Sequence, residues 1–380
     1  MLYFAIKMLI GDKAKYLGII LGLTFASFIV TQQGAIFIGL MKRTVGFITD
    51  TPLPNIWVMD RTVQYIDDIK GLKETDLYRV RSNPGIAWAV PLYKGLLQAR
   101  LPNGLFQTCN VVGIDTDTLI GGPPVMLEGN LTDLRKIDGA IIVDRVGATT
   151  KLATDDRPLQ VGDTLELNDN RCVVIGICEV SRTFQSQPVI YMPYDRSELI
   201  APRQRKMLSF ILAKSHPHCD PLAVCQSVAQ ATGFAAMTAK QFKNLTMNYY
   251  LRYTGIPINF GTAVILGFII GIAIAGQTFY NFTLDNIRYF GTFKAMGAQN
   301  DLLVRMIFLQ SAMAGSIGWG IGVGAAALFG FLFHTTELSF DLPWQLLVAS
   351  GAAILLISML SALISIQKVI KLEPAIVFKS

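Results

Sequence analysis

Few side chains in this sequence could carry covalent or metal chemistry, and their spacing argues against it. There are three histidines, His216, His218 and His334, and five cysteines, Cys109, Cys172, Cys178, Cys219 and Cys225. A zinc centre needs ligands in spaced pairs, and a hydrolytic centre needs a nucleophile, a base and an orienting group. His216, His218 and Cys219 crowd into "HPHC" with no second ligand pair, so the run reads as a loop. "GATTK", Gly147 to Lys151, is too short for the phosphate-binding pattern G-x-x-x-x-G-K-[ST], which occurs nowhere in the chain. No catalytic residue, metal ligand or cofactor is expected, and the chain reads as a non-enzyme.

The residues that are abundant define the class instead. The chain has 380 residues, 52% hydrophobic and 16% charged, against about 25% charged in an average soluble domain. Four windows, 16–41, 253–284, 306–336 and 342–367, contain no Asp, Glu, Lys or Arg. Each exceeds the roughly 20 residues a helix needs to cross a bilayer, where only helices and closed barrels satisfy their own backbone. The expected fold is therefore a membrane α-helical protein with four transmembrane helices and a large α+β extracytoplasmic domain between helices 1 and 2. The expected segments are an amphipathic N-terminal helix (1–15), helix 1 (16–41), the outer domain (42–254), helix 2 (255–284), a connector (285–305), helix 3 (306–333), a short loop (334–341), helix 4 (342–367) and a tail (368–380). The first apolar region is too long for a signal-peptide core and lacks a clean A-x-A site, so it is expected to be retained.

Lysine and arginine near the span ends orient the chain. Lys7, Lys13 and Lys15, then Arg288, Lys294 and Arg305, then Lys368, Lys371 and Lys379 mark one side, and 334–341 carries no such residue. Both termini and 285–305 are expected in the cytoplasm, with Lys42 and Arg43 opposing the rule. The net charge of +6 is a topology signal, and scattered basic residues do not make a nucleic-acid surface. The spans hold no ionisable group at depth. Gln32, Gln33 and Gln277 are their main polar residues, which argues against an ion-coupled carrier.

All five cysteines then fall outside. Along one strand Cys172 and Cys178 would lie roughly 20 Å apart, and on a helix Cys219 and Cys225 about 9 Å apart along the axis. A disulfide needs Cα atoms within about 7 Å, so the cysteines read as small buried residues.

The outer segment alternates strand and helix signals. Strands are expected over 55–60, 139–144, 188–193 and 207–214, with hairpins over 95–115, turned at Pro102-Asn103-Gly104, and 163–180, turned at Asn168-Asp169-Asn170. Helices are expected over 73–85 and 221–232, and over 238–253 running on towards helix 2 with Gly255 and Pro257 at the junction, a candidate lever hinge. One subdomain split by an inserted β-rich one is expected. Within the spans Gly267 and Gly271, and Gly318 and Gly322, sit four apart and are expected to let helices pack closely.

One stretch is unlike its surroundings: "NIRYFGTFKAMGAQN", Asn286 to Asn300. Leu284, Ile287, Phe290, Phe293 and Met296 recur every three residues, giving a helix one drifting apolar face. Gly297 suits a left-handed residue just past its end. Such a helix can press one side on the membrane base and offer the other to a soluble partner.

"RYFGTFKAMGA", Arg288 to Ala298, resembles the Arg-x-x-Glu-Ile-Gly-x-Leu-Lys-Ala-Leu-Gly-Ala pattern of the MacB/FtsX/LolC permease family, with Gly291, Lys294, Ala295, Gly297 and Ala298 in register. "LEPAIVFK" (Leu372 to Lys379) is similar to that family's closing segment, and "VVGID", "VGDTLEL" and "VVIGI" to its periplasmic core. Tyr289 stands where the family has a carboxylate. The chain most resembles the DevC type. The resemblance implies the permease subunit of an ABC-type exporter in a bacterial inner membrane. It implies a separate ABC ATPase subunit that binds the ATP, a homodimer, a periplasmic adaptor and an outer-membrane channel. It implies ATPase coupling through Arg288, Tyr289, Gly291, Lys294 and Gly297. Within the family an FtsX-like regulator of a cell-wall hydrolase and a lipoprotein-release permease are the alternatives.

Overall fold

In the computed structural model, residues 2–153, 157–202, 207–333 and 336–370 are described. His334, Lys371 and the Leu372–Lys379 segment lie outside them. The chain divides into two compact units, Met1–Leu40 with Gly255–Ser380, and Met41–Thr254.

The first unit is helical. α1 (Leu2–Gly11) precedes α2 (Lys13–Thr44), whose last residues begin the second unit, and α9 (Ile256–Asp285), α10 (Ile287–Ala295), α11 (Asn300–Leu332) and α12 (Trp344–Ile370) complete it. Among the described residues four helices are long and apolar enough to span a membrane: Lys13–Thr44, Ile256–Asp285, Asn300–Leu332 and Trp344–Gln367. They approach closely where glycine removes a side chain. A Cβ on Gly267 would lie 2.8 Å from Ile29, on Gly271 2.6 Å from Ala26 and on Gly318 2.7 Å from Leu23, and Gly322 lies directly against Ser27. Gly320 and Gly324 have no atom within 4 Å of such a Cβ. Two apolar clusters fill the bundle, one around Leu23, Phe279 and Ile357, the other around Phe290, Met306 and Ile366. In α1 the buried pair is Ala5 and Leu9, and Ile10 is exposed.

The second unit is a mixed α+β domain. Its elements in order are α3 (Gly46–Asp50), β1 (Ile56–Met59), α4 (Glu74–Arg81), β2 (Ile86–Arg100), β3 (Phe106–Ile114), β4 (Val125–Glu128), a 3-10 turn (Leu131–Arg135), β5 (Ala140–Asp144), α5 (Arg145–Thr149), β6 (Thr164–Leu167), β7 (Asn170–Glu179), β8 (Val189–Pro193), α6 (Tyr194–Ile200), β9 (Phe210–Ser215), α7 (Pro221–Thr232), β10 (Ala235–Thr238) and α8 (Ala239–Tyr253). Among the described residues ten strands form one sheet in the order β10-β1-β9-β2-β3-β8-β5-β7-β4, with β6 against β2 and β7. β3 pairs parallel with β8 and β5 with β7, while the other pairings are antiparallel. Strands from both ends of this chain segment thus share one sheet, joined by β2: residues 86–92 pair with β9 and 93–100 with β3.

Both faces of the sheet are covered, which is why its strands read as apolar runs. Side chains alternate across a strand. Ile56, Val58, Ile141, Val143, Ile211 and Ala213 enter one core, and Trp57, Met59, Ala140, Ile142, Phe210 and Leu212 the other. In β7 the alternation slips at Gly176. Cys172 and Val174 share the first core with Ile177, while Ile175 and Cys178 face the second. A register shift in the β5–β7 ladder accompanies the slip, as a bulge that changes side-chain parity requires. The turns follow local chemistry. Asn168 and Asp169 take φ of +46° and +62° in the β6–β7 hairpin, the left-handed pair that a tight hairpin uses. Asp220 caps α7 by accepting from Leu222 N, and Gly233 ends it at φ +83°.

Candidate functional site

α10 is a nine-residue helix set between α9 and α11. Asn286 is the joint, closing α9 and opening α10. It is buried, its Nδ2 donates to Phe282 O at 2.9 Å, and its carbonyl accepts from Tyr289 N at 3.0 Å. Phe290 is fully buried among Ala5, Leu303, Met306, Ala362 and Ile366, and Gly291 is buried beside it. Three further contacts fasten the helix and the end of α9 that leads into it. Asp285 pairs with Lys15 at the start of α2. Lys294 Nζ donates to Ile370 O at the end of α12, at 3.0 Å. Phe293 meets Phe4 of α1 edge-on at 6.4 Å.

The opposite side is open. Arg288 and Thr292 are exposed, and Tyr289 and Met296 are 62% and 65% exposed. The buried stripe is therefore Ile287, Phe290, Gly291 and Phe293. A three-residue repeat falls about 60° short of a full turn at each step, so the expected face has rotated outward by Met296. Past the end, Gly297 has φ +92°. Gly297 N donates to Lys294 O at 3.1 Å and Ala298 N to Phe293 O at 2.9 Å. This double closure satisfies the last carbonyls of the helix. Of the five residues expected to couple to an ATPase, Arg288 and Tyr289 face outward, Gly291 packs inward, Lys294 is fastened to α12, and Gly297 shapes the exit. Asn286 and the Lys15–Asp285 pair went unread in the sequence. The charges at either end of the apolar windows were their only signal.

In the second unit the chain that continues α2 converges with α8 on one loop. Arg43 Nη1 donates to Ser186 Oγ at 3.0 Å. Asp50 accepts from Ser181 N at 2.6 Å and from Ser181 Oγ at 2.9 Å. Gly46 packs on Ser181 so closely that a Cβ would sit 2.7 Å from it. From the same loop Phe184 lies 4.9 Å from the ring of Tyr250 on α8. Tyr65 stacks on Tyr249 at 4.3 Å and 18°. α8 opens with a reciprocal cap between Thr238 and Gln241. It ends at Tyr253, and Thr254 and Gly255 separate it from α9. Pro257 lies in the first turn of α9, where its missing N–H costs no helical bond. It begins a helix there and does not bend one.

The cysteines of this unit are free thiols. Burial pushes Cys172 and Cys225 up to about 11 and Cys109 up to about 12. Asp144 is a structural carboxylate that accepts from Gly147 N at 2.8 Å and Val189 N at 2.7 Å, and burial raises its pKa.

Two family models match this chain. Residues 17–231 match the model of the MacB-like periplasmic core domain, and residues 261–374 that of the FtsX-like permease C-terminal region. The chain is 22% identical over 306 residues to an uncharacterized ABC transporter permease of Mycobacterium tuberculosis H37Rv, covering 80% of this chain and 78% of that one. It is 22% identical over 365 residues to the macrolide export ATP-binding/permease protein MacB of Haemophilus ducreyi, covering 90% of this chain and 50% of that protein. Among solved structures, the periplasmic region of MacB from Actinobacillus actinomycetemcomitans superposes with a TM-score of 0.38 at 17% identity, over 53% of this chain and 96% of that one.

Proposed function

Because this chain belongs to the family of FtsX-like permeases with a MacB-like periplasmic core domain, and is an ABC transporter permease of that type, we propose that it is the membrane subunit of an exporter that transmits motion from a separate ATPase. The ATPase subunit binds and hydrolyses the ATP and seats on the open side of α10 at the cytoplasmic face of a bacterial inner membrane. Two copies of the chain pair. The 41–254 domain stands in the periplasm, where it joins an adaptor and an outer-membrane channel. Both termini are cytoplasmic. Substrate need not pass between the spans, which suits their lack of ionisable residues.

The observation that carries this reading is how α10 is mounted. Asn286, Lys294–Ile370 and Phe290 tie it to α9, α11 and α12, and Lys15–Asp285 ties the end of α9 to α2, so a force applied to its open side is shared by the bundle. In the periplasmic domain, the loop holding Ser181, Phe184 and Ser186 receives both the continuation of α2 and α8. A change in spacing between those two elements is thereby imposed on the sheet.

The test is reconstitution with the ATPase subunit and adaptor in vesicles. Phe184→Ala is expected to leave assembly and basal ATP hydrolysis intact while lowering export. Full export from an assembled Phe184→Ala complex overturns the transmission route. Capture of a cell-wall hydrolase in place of an adaptor replaces the exporter by a regulator.

A further inference from the structure

A groove in the 41–254 domain shares Phe184 and Tyr250 with that route and has a chemistry of its own. Two adjoining cavities of about 390 Å³ and 360 Å³ share Tyr65, Asp67, Ile69, Lys94, Gly95 and Leu96 in their walls. That is the size range of small-molecule sites, about 300–1,000 Å³. Lys94 is an anomaly in its strand. It is a lysine only 3% exposed in the middle of β2, where the neighbouring positions are apolar. Its ammonium is taken by Asp67 Oδ1 and lies 5.7 Å from the ring centre of Phe47. Its backbone is fixed by Ser209, which accepts from Lys94 N at 2.8 Å and donates to Lys94 O at 2.9 Å.

We propose that this groove binds a protonated organic amine, held by Asp67 against a wall of tyrosines. Four observations fix that class. The Lys94 ammonium is covered, while Asp67, its partner, is 41% exposed, so the groove presents the carboxylate and not the cation. Asp68, the other acid in the wall of the larger cavity, is paired with Lys70 at 3.2 Å, so Asp67 is the carboxylate that the groove offers. Asn110, 4% exposed on the wall of the second cavity, has a carboxamide oxygen with no hydrogen-bond partner among the described residues. That oxygen is closed off from the empty groove, so an N–H donor reaches it only when the side chain turns. Tyr65, Tyr249 and Tyr250 gather within 5.7 Å of one another, centre to centre. Aromatic faces attract a cation through the negative face of the ring. Burial raises the pKa of both Tyr65 and Tyr250, so the wall stays neutral at physiological pH. Tyr249, Tyr250 and Thr254 come from α8 and its end, so an occupant touches the segment that leads into α9.

The site is separate from α10, and binding is measured without the ATPase, so failure of the coupling mechanism leaves this test standing. The full chain in phosphatidylcholine nanodiscs is titrated with 2-phenylethylammonium at pH 7 by calorimetry, with empty discs subtracted. The neutral 2-phenylethanol and the anionic 3-phenylpropanoate serve as comparisons. Saturable binding of the ammonium is expected, with the alcohol and the carboxylate at least about tenfold weaker, which is roughly 1.4 kcal/mol. Asp67→Asn is expected to weaken the ammonium by a similar factor. That variant also strips Lys94 of its partner, so Tyr249→Leu, which leaves the pair intact, is the second arm and is expected to weaken it as well. Glu198→Gln, on α6, is expected to change nothing. Absence of saturable binding, equal affinity for the alcohol, or unchanged affinity in Tyr249→Leu overturns the proposal.

Discussion

The exit from α10 offers a graded perturbation. Gly297 holds φ +92°, and a Cβ built there meets nothing within 4 Å. Any effect of substitution is therefore backbone strain and not collision. A β-carbon in the left-handed region costs about 1–2 kcal/mol, and asparagine tolerates that region better than other side chains. Leaving the region forfeits the closures Gly297 N to Lys294 O and Ala298 N to Phe293 O, each contributing about 0.5–1.5 kcal/mol net. The loss is bounded by the smaller of the two costs. Gly297→Asn should then cost well under 1 kcal/mol, Gly297→Ala about 1 kcal/mol, and Gly297→Val about 1–3 kcal/mol as the cap opens. At the upper end that is roughly a hundredfold shift in the population of capped helix. The assay is ATP-driven export and permease-stimulated ATP hydrolysis in reconstituted vesicles. Thermal unfolding of the 41–254 domain serves as the control and should not move. Activity should fall in the order Gly, Asn, Ala, Val. Wild-type export in Gly297→Val, or Asn falling below Val, would show that the left-handed exit has no part in coupling.

Other expectations follow from the same geometry. Cysteines replacing Asn130 and Gln299 in a Cys219→Ser background should react oppositely with an impermeant thiol reagent on intact cells; the four remaining native thiols are buried, and equal labelling of both sites from outside would overturn the topology. Burial raises the Asp144 pKa, so the folded domain binds that proton more tightly than the unfolded chain does. The associated stability is full below about pH 4 and is lost as pH rises through the raised folded value; Asp144→Asn should flatten that part of a plot of Tm against pH, and an unchanged slope would refute the assignment. Gly271→Val and Gly322→Val should each lower bundle stability by about 1–3 kcal/mol through overpacking, whereas Gly320→Val and Gly324→Val should not; thermal unfolding in detergent reads the contrast.

What the sequence disclosed was whatever is encoded locally. The four apolar windows and the runs around Ile56, Ile141 and Ile190 announce helices and buried strands because burial on every side needs apolar residues at every position. The turn at Asn168-Asp169 and the α7 caps at Asp220 and Gly233 are likewise written in single residues. β10, "AAMT", and β4, "VMLE", were not legible. Four residues of modest strand preference become strands only because β1 and β7 offer them a ladder. α6 begins after Pro193 without a side-chain cap, so no start signal marks it. At the candidate site the periodic residues of α10 were visible, but the fastening was not. Lys15, Asp285, Lys294 and Ile370 are far apart in sequence. The groove around Lys94 was hidden for the same reason, because its wall is assembled from six separate segments, and its one local sign is a lysine inside an apolar strand.

β1 and β10 run side by side, Ile56 opposite Thr238 and Met59 opposite Ala235. The strand that enters the domain and the strand that leaves it are neighbours in one ladder, about 5 Å apart. From Ile56 to Thr238, 183 residues are held with almost no separation between their ends. A module closed in that way can be enlarged or trimmed at distant loops while the spacing of the two adjoining strands is kept. Variation among such proteins should therefore gather in the segments farthest from the β1–β10 ladder.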